Sequence, residues 1–347
     1  GHTGDGKTSL GEAFLHAAGA TSALGKVDDG SSVLDHTPEE KERHHTLTSS
    51  LYGFGWEDFH LTLVDTPGDP NFQGDGQVAL HALDGAILLV SAVDGTQVGT
   101  ESMWRASERS GTPLVAFVNG VDRDRADIQG ALESLRRMGA NPIEVVLPIG
   151  SGSDLKGVID LLEMKATVEG RPADVPAELA EEVEAARQRI DEAVAETDDE
   201  LLERYLEEGE LDDESLVKGL MAAASSRGLL PVFCGSATGQ VGTEEALRLA
   251  TQLLPSPVER PPRAGRDIDS DAENAVGPDP AGPFAALVFK TVVDRYAGTL
   301  SIFRVISGTI KGDTPVLNAT RDKKERLGKL LLLQGAEYID VPEAGPG

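Results

Sequence analysis

The first eight residues, Gly1-His2-Thr3-Gly4-Asp5-Gly6-Lys7-Thr8, match the pattern G-x-x-x-x-G-K-[ST] in full. Each residue type there answers a demand of a polyphosphate. Glycines let backbone N–H groups turn towards a β-phosphate, a lysine reaches the β- and γ-oxygens, and a threonine hydroxyl holds Mg²⁺. Ser9 to Ala18 then reads as the helix whose positive end faces those phosphates. The expected contact set is therefore Gly1, His2, Thr3, Gly4, Asp5, Gly6, Lys7, Thr8 and Ser9. Taken alone, the match has a plain alternative, a Gly-rich turn ahead of an ordinary helix.

A phosphate loop needs a sheet to carry it. Leu61-Thr62-Leu63-Val64, Ala86-Ile87-Leu88-Leu89-Val90, Leu114-Val115-Ala116-Phe117-Val118 and Leu230-Pro231-Val232-Phe233 are short apolar runs that read as buried parallel strands. Helix-like segments, Gln97 to Ser110 and Ala126 to Met138, alternate with them. The fold class expected is α/β, a doubly wound sheet of the P-loop GTPase kind. The sequence has no strand ahead of the loop and stops at Glu343-Ala344-Gly345-Pro346-Gly347 inside a β-rich stretch, so it reads as a fragment.

Three of the runs end in residues that a purine nucleotide would use. After the first stands Asp65-Thr66-Pro67-Gly68, where a carboxylate can hold Mg²⁺ through water and the Gly68 amide can meet a γ-phosphate. After the third stands Asn119-Gly120-Val121-Asp122, where Asp122 can accept from guanine N1–H and the 2-amino group; adenine lacks that amino group. After the last stands Gly235-Ser236-Ala237, where a backbone N–H can donate to guanine O6. Binding at the carboxyl ends of parallel strands is the rule for such sheets. Each short motif means little singly; the ordered set points to a guanine nucleotide.

The set resembles the translational GTPases, and among them the elongation factor G family. Asp35, Glu40, Glu42, Arg43 and Thr46 fall where that family carries its first switch, which gives Thr46 the place of a Mg²⁺-binding threonine. The stretch between Asp122 and Ser236 looks like the family's extra subdomain, and Phe284-Ala285-Ala286-Leu287-Val288-Phe289-Lys290 resembles the start of its second domain. The resemblance implies a GTP-binding domain over 1–149 and 229–257, an inserted α+β subdomain over 150–228, a flexible linker over 258–283, and an antiparallel β-barrel, truncated, over 284–347. It also implies hydrolysis of GTP to GDP and phosphate, with Lys7, Gly68 and Asp69 at the reacting end and Mg²⁺ on Thr8, Thr46 and Asp65. Asn119, Gly120, Asp122, Ser236 and Ala237 would surround the base. The partner implied is the ribosome, through rRNA and ribosomal proteins, during translocation in the cytoplasm. A hydrolysis-poor switch, or a relative acting in ribosome recycling or protection, is the alternative.

Four positions depart from the family pattern. Asp69 stands where the family has a histidine that orders the attacking water. A carboxylate accepts a hydrogen bond from water yet adds negative charge beside an anionic γ-phosphate, so slower hydrolysis is expected, by about 10²–10⁴-fold. Gly120 replaces a lysine whose stem covers the base, at about 1 kcal/mol of affinity. Gly4-Asp5 alters the loop, and His44-His45 replaces Gly-Ile before Thr46, which raises the idea that His45 takes over the missing histidine's work.

Composition sets the remaining limits. The chain has 347 residues, room for two or three domains, and a net charge of −28, which argues against nonspecific binding to DNA or an anionic membrane. A monomer is expected. The single cysteine, Cys234, lies in an apolar run and reads as a core residue. Pro176 to Thr197 reads as a helix with Leu179, Val183, Ile190 and Val194 on one face, and Thr197-Asp198-Asp199-Glu200 as a capping box for the next. Arg321-Asp322-Lys323-Lys324-Glu325-Arg326 is a basic patch in an acidic chain, either a solvated hairpin or an RNA contact.

Overall fold

The computed structural model describes residues 1–267, 270, 272–294 and 298–347. Its centre is a four-stranded parallel sheet in the order Ala86–Ser91, Leu114–Asn119, Leu230–Gly235, Pro142–Glu144. The two middle strands are buried at every residue, which is why they read as unbroken apolar runs rather than alternating ones. The first crossover is made by the helix Val98–Ser110, which stops at Gly111, in the left-handed region at φ +64°. The helix Ile128–Arg137 makes the next, capped by Asp127 accepting from Gly130 N–H. Cys234 is buried in the central strand and its thiol is pushed well above the ordinary value by burial, so it is inert core.

The Leu61–Val64 run departs from its expectation. It belongs to the strand Phe59–Asp65, which is half-buried and pairs antiparallel with Ser50–Trp56 through the turn at Glu57-Asp58. A partner two residues away in sequence closes before any distant one can. This hairpin also pairs with Leu330–Gln334, at Tyr52 and Gln334, so one four-stranded sheet spans the nucleotide-binding part and the C-terminal part.

Between Pro142–Glu144 and Leu230–Gly235 the chain makes an excursion. Val146–Ile149, Gly157–Asp160, Lys165–Val168 and Arg171–Ala173 form an antiparallel sheet, and the helices Ala180–Ala195, Asp199–Glu208 and Asp213–Ser226 lead back to Leu230. Val183, Ile190 and Val194 are buried as their spacing requires, whereas Leu179 lies in a short 3-10 turn. The capping residue of Asp199–Glu208 is Asp198, which accepts from Glu200 and Leu201 N–H. Thr197 instead donates to Val194 O, closing the preceding helix.

The stretch expected as a flexible linker carries a hairpin, Arg263–Arg266 with Glu273–Val276. Arg260 and Arg263 donate to Gly111 O and His81 O, and Arg304 to Ala82 O. Those carbonyls sit just past two helix C-termini, the negative ends that attract guanidinium groups. Beyond it come antiparallel pairs, the longest joining Ala285–Asp294 and Gly298–Ser307. The basic patch lies on an exposed hairpin, Pro315–Asn318 with Lys323–Arg326.

Candidate functional site

The phosphate loop is built as its glycines require. Gly4 and Gly6 take φ of +84° and +89°, and Gly6 precedes the helix Lys7–Ala17. A side chain at Gly6 would collide with Asn119 Nδ2, and one at Gly68 would meet the Lys7 ammonium and the His2 carbonyl. Lys7 Nζ donates to His2 O at 2.7 Å, and burial lowers its pKa. Asp5 turns back on the loop, accepting from His2 N–H at 2.6 Å, and burial raises its pKa. His2 Nδ1 in turn accepts from Gly99 N–H, while Thr3 Oγ1 is buried without a partner. Ser9 stands in the first helical turn.

Three expected metal residues meet at one point. Thr8 Oγ1 lies 2.8 Å from Thr46 Oγ1 and donates to Asp65 Oδ2 at 2.8 Å. Thr46 also donates to Asp35 Oδ1 at 2.7 Å, which leaves Asp35 Oδ2 buried and unpartnered. Burial pushes the Asp65 carboxyl up to about 7, against the Thr8 hydrogen bond and the Lys7 charge. Burial raises Asp35 as well. Two hydroxyls and two carboxylates, one with an orphaned oxygen, make an all-oxygen donor set of the kind a hard divalent cation takes.

Two buried glutamates hold the segment that delivers Asp35 and Thr46, and the sequence reading missed both roles. Glu12, on the first helix, accepts from Ser32 Oγ, Val33 N–H and Leu34 N–H through one oxygen. Glu40 has no exposed surface; it accepts from Thr37 N–H and Oγ1 with one oxygen and from Leu47 and Thr48 N–H with the other. The signal available was Thr37-x-x-Glu40, a capping box ahead of the short helix Pro38–Arg43. His44 points away, its Nδ1 on Val27 O.

On the base side Asn119 is a strut. Its Nδ2 donates to Asp5 O at 2.8 Å and its Oδ1 accepts from Ala237 N–H at 2.9 Å, tying the phosphate loop to the 236–241 turn. Ser236 closes that turn by exchanging backbone hydrogen bonds with Val241, and its Oγ accepts from Gly239 N–H. A Cβ on Gly239 would stand 3.7 Å from Asp122 Oδ2, so Asp122 is brought to the same corner. Of the backbone N–H groups expected to offer one to guanine O6, Ser236 N–H donates to Val241 O and Ala237 N–H to Asn119 Oδ1. Gly120, at φ +84°, donates to Gly235 O. A Cβ on Gly120 would meet Arg123 Cδ at 3.1 Å and Nε at 3.2 Å, so the Arg123 stem lies over this position.

On the reacting side Asp69 Oδ1 accepts from Asn71 N–H and Nδ2, both at 2.8 Å, while Oδ2 lies 3.8 Å from His45 Nε2. Farther out, Lys290 of the C-terminal part donates to Asp75 Oδ2 at 2.6 Å, to Ser49 O at 2.8 Å and to Thr48 Oγ1. Asp75 is on the helix Gln73–Leu80 that follows Gly68, so one ammonium ties both loops at the site to the next domain. Burial favours the neutral Asp75 carboxyl, but the hydrogen bond from Lys290 and those from Ser49 and Thr48 outweigh it and hold the pKa below the usual range.

Fold and loop together define a P-loop nucleotide-binding domain, and similarity to known proteins refines the class. Residues 1–256 match the family described as Elongation factor Tu GTP binding domain, and residues 283–347 match Elongation factor G domain 2. Elongation factor G of Thermotoga sp. (strain RQ2) is 38% identical over the whole chain and 51% of its own length. That of Thermotoga maritima is 36% identical with the same coverage. A crystal structure of a Thermus thermophilus protein superposes with a TM-score of 0.87 at 34% identity, over 100% of this chain and 50% of its own. The chain belongs to the elongation factor G family of translational GTPases, and its N-terminal part is a guanine-nucleotide-binding domain. It spans about half the length of the curated relatives it matches. Among the described residues no helix is long and apolar enough to cross a membrane.

Proposed function

We propose that this chain hydrolyses GTP to GDP and phosphate as the nucleotide-handling part of an elongation factor G-like protein that acts on the ribosome during translocation, in the cytoplasm. The observation that carries this is the meeting of Thr8, Thr46 and Asp65 at the mouth of the phosphate loop. Thr8 and Thr46 would bind Mg²⁺ directly and Asp65 through water; Asp35 supports them by accepting from Thr46. Bound there, Mg²⁺ supplies positive charge to the β- and γ-oxygens. Lys7 and the loop amides bind the phosphates, Gly68 N–H faces the γ-phosphate, and Asp122 selects guanine by accepting from N1–H and the 2-amino group. When the γ-phosphate leaves, the Asp35–Thr46 segment and the Gly68–Asp69 segment lose the group that orders them. The proposed domain division is 1–149 with 229–257, an inserted subdomain over 150–228 whose sheet also takes in the strand Val146–Ile149, and a β-rich domain over 284–347 joined through 258–283.

A second reading, a GTP-dependent switch that turns over slowly, is favoured by Asp69, a carboxylate beside the γ-phosphate position. Phosphate release in a single turnover, with and without ribosomes, separates the two. Ribosome-stimulated release supports hydrolysis; tight GTP binding without it supports the switch. An Asp69→His variant that releases phosphate faster supports the charge argument, and an unchanged rate removes it.

A further inference from the structure

Hydrolysis of a bound triphosphate needs a water held against the γ-phosphorus by groups that accept and donate hydrogen bonds. Thr46 touches Thr8, and Gly68 packs against the Lys7 ammonium, so the two loops meet the phosphate site at adjoining points. The next residue out on each loop is His45 and Asp69, and the two face each other. Asp69 Oδ1 is fixed by two hydrogen bonds from Asn71, which directs Oδ2 to the imidazole. His45 Nε2 is buried and has no hydrogen-bond partner. Its 3.8 Å separation from Asp69 Oδ2 is too long for a direct hydrogen bond, and a small outward shift of either loop would let one water touch both atoms.

We propose that His45 and Asp69 act as one unit that holds the attacking water, Asp69 Oδ2 accepting from it and His45 Nε2 contacting it from the other side. This rests on the hydrolytic reading above. The water oxygen forms its bond to the γ-phosphorus as the bond to the β–γ bridging oxygen breaks. GDP leaves with that electron pair, and the water's proton ends on the released phosphate or in solvent. Neither side chain is consumed.

The test is single-turnover hydrolysis with ribosomes, alongside the Kd for GTP, for the protein and its His45→Ala, His45→Gln, Asp69→Ala and His45→Ala/Asp69→Ala variants. His45→Ala is expected to lower the hydrolysis rate on the order of 10²-fold while the Kd changes less than twofold. His45→Gln, whose amide nitrogen can replace Nε2, recovers about tenfold of the loss, and the double variant is no slower than the slower single one, because removing either member already frees the water. A rate within twofold of the unsubstituted protein for His45→Ala, a fall in affinity matching the fall in rate, or losses that multiply in the double variant each overturn the pairing and leave the hydrolytic reading standing. Failure of the unsubstituted protein to hydrolyse GTP overturns both.

Discussion

Removing the Asn119 side chain should weaken nucleotide binding even though Asn119 need not touch the base. The residue is buried, and its two hydrogen bonds, 2.8 Å to Asp5 O and 2.9 Å from Ala237 N–H, join the phosphate end of the site to the base end. In Asn119→Ala a carbonyl and an amide lose their partners at once. Each unpaired backbone group costs about 1–3 kcal/mol, so the total is about 2–6 kcal/mol, and less where water enters the space. Part of this falls on stability and part on binding, because the loops relax when nothing holds them together. Isothermal calorimetry with GDP and the urea midpoint of the nucleotide-free protein apportion it. We expect GDP affinity to fall at least tenfold, about 1.4 kcal/mol, with the remainder in stability. Asn119→Asp keeps the acceptor for Ala237 and sets a carboxylate oxygen against Asp5 O, so its affinity should fall at least as far. GDP binding within twofold of the parent, together with an unmoved midpoint, refutes the strut.

Lys290→Met should loosen the second domain from both loops of the site by about 1–2 kcal/mol, since Asp75 keeps its bonds from Thr48 and Ser49; limited proteolysis near Phe284 and the urea midpoint report it. The Asp75 pKa is lowered in the fold, so its stabilising share is present above about pH 4 and lost as pH falls through the lowered value; Asp75→Asn should remove that acid limb. Asp65 behaves oppositely. Its pKa is raised by burial to about 7, so the metal-free fold binds more protons than the unfolded chain between about pH 4 and 7 and loses stability as pH rises across that window. Urea midpoints in EDTA should therefore decline from about pH 5 to 7, and Asp65→Asn should flatten the decline. Arg123→Ala should lower GDP affinity by about 1 kcal/mol with guanine preference over adenine unchanged, as calorimetry with GDP and ADP would show, because its stem lies where a side chain at 120 would start and would cover a base bound there.

The parallel sheet was legible because its middle strands, Leu114–Asn119 and Leu230–Gly235, are buried at every residue and so read as unbroken apolar runs alternating with helices. The Phe59–Asp65 strand misled, since a four-residue apolar run does not say whether its partner is parallel or a hairpin neighbour. Thr8 and Asp65 could be named from the phosphate loop and a strand end, and Thr46 from the resemblance to the family's first switch. Asp35's contact with Thr46, by contrast, spans a segment with little regular structure and has no periodic signal. Glu12 carried no signal and Glu40 entered only as part of the first switch, for only the fold shows the backbone amides that surround them. Arg123 was hidden for a similar reason: a left-handed Gly120 turns the chain so that a residue three positions on covers it. Lys290 lies far along the sequence from Asp75, and no local rule pairs them.

A single crevice must grip a polyphosphate with a divalent cation and select the 2-amino purine. Isothermal calorimetry of the protein with GDP, GTP and ATP, each with Mg²⁺ and with EDTA, tests this most directly. We predict binding of GDP and GTP that weakens in EDTA, and ATP at least about a hundredfold weaker. Equal affinity for ATP and GTP, or no heat with any of the three, contradicts it.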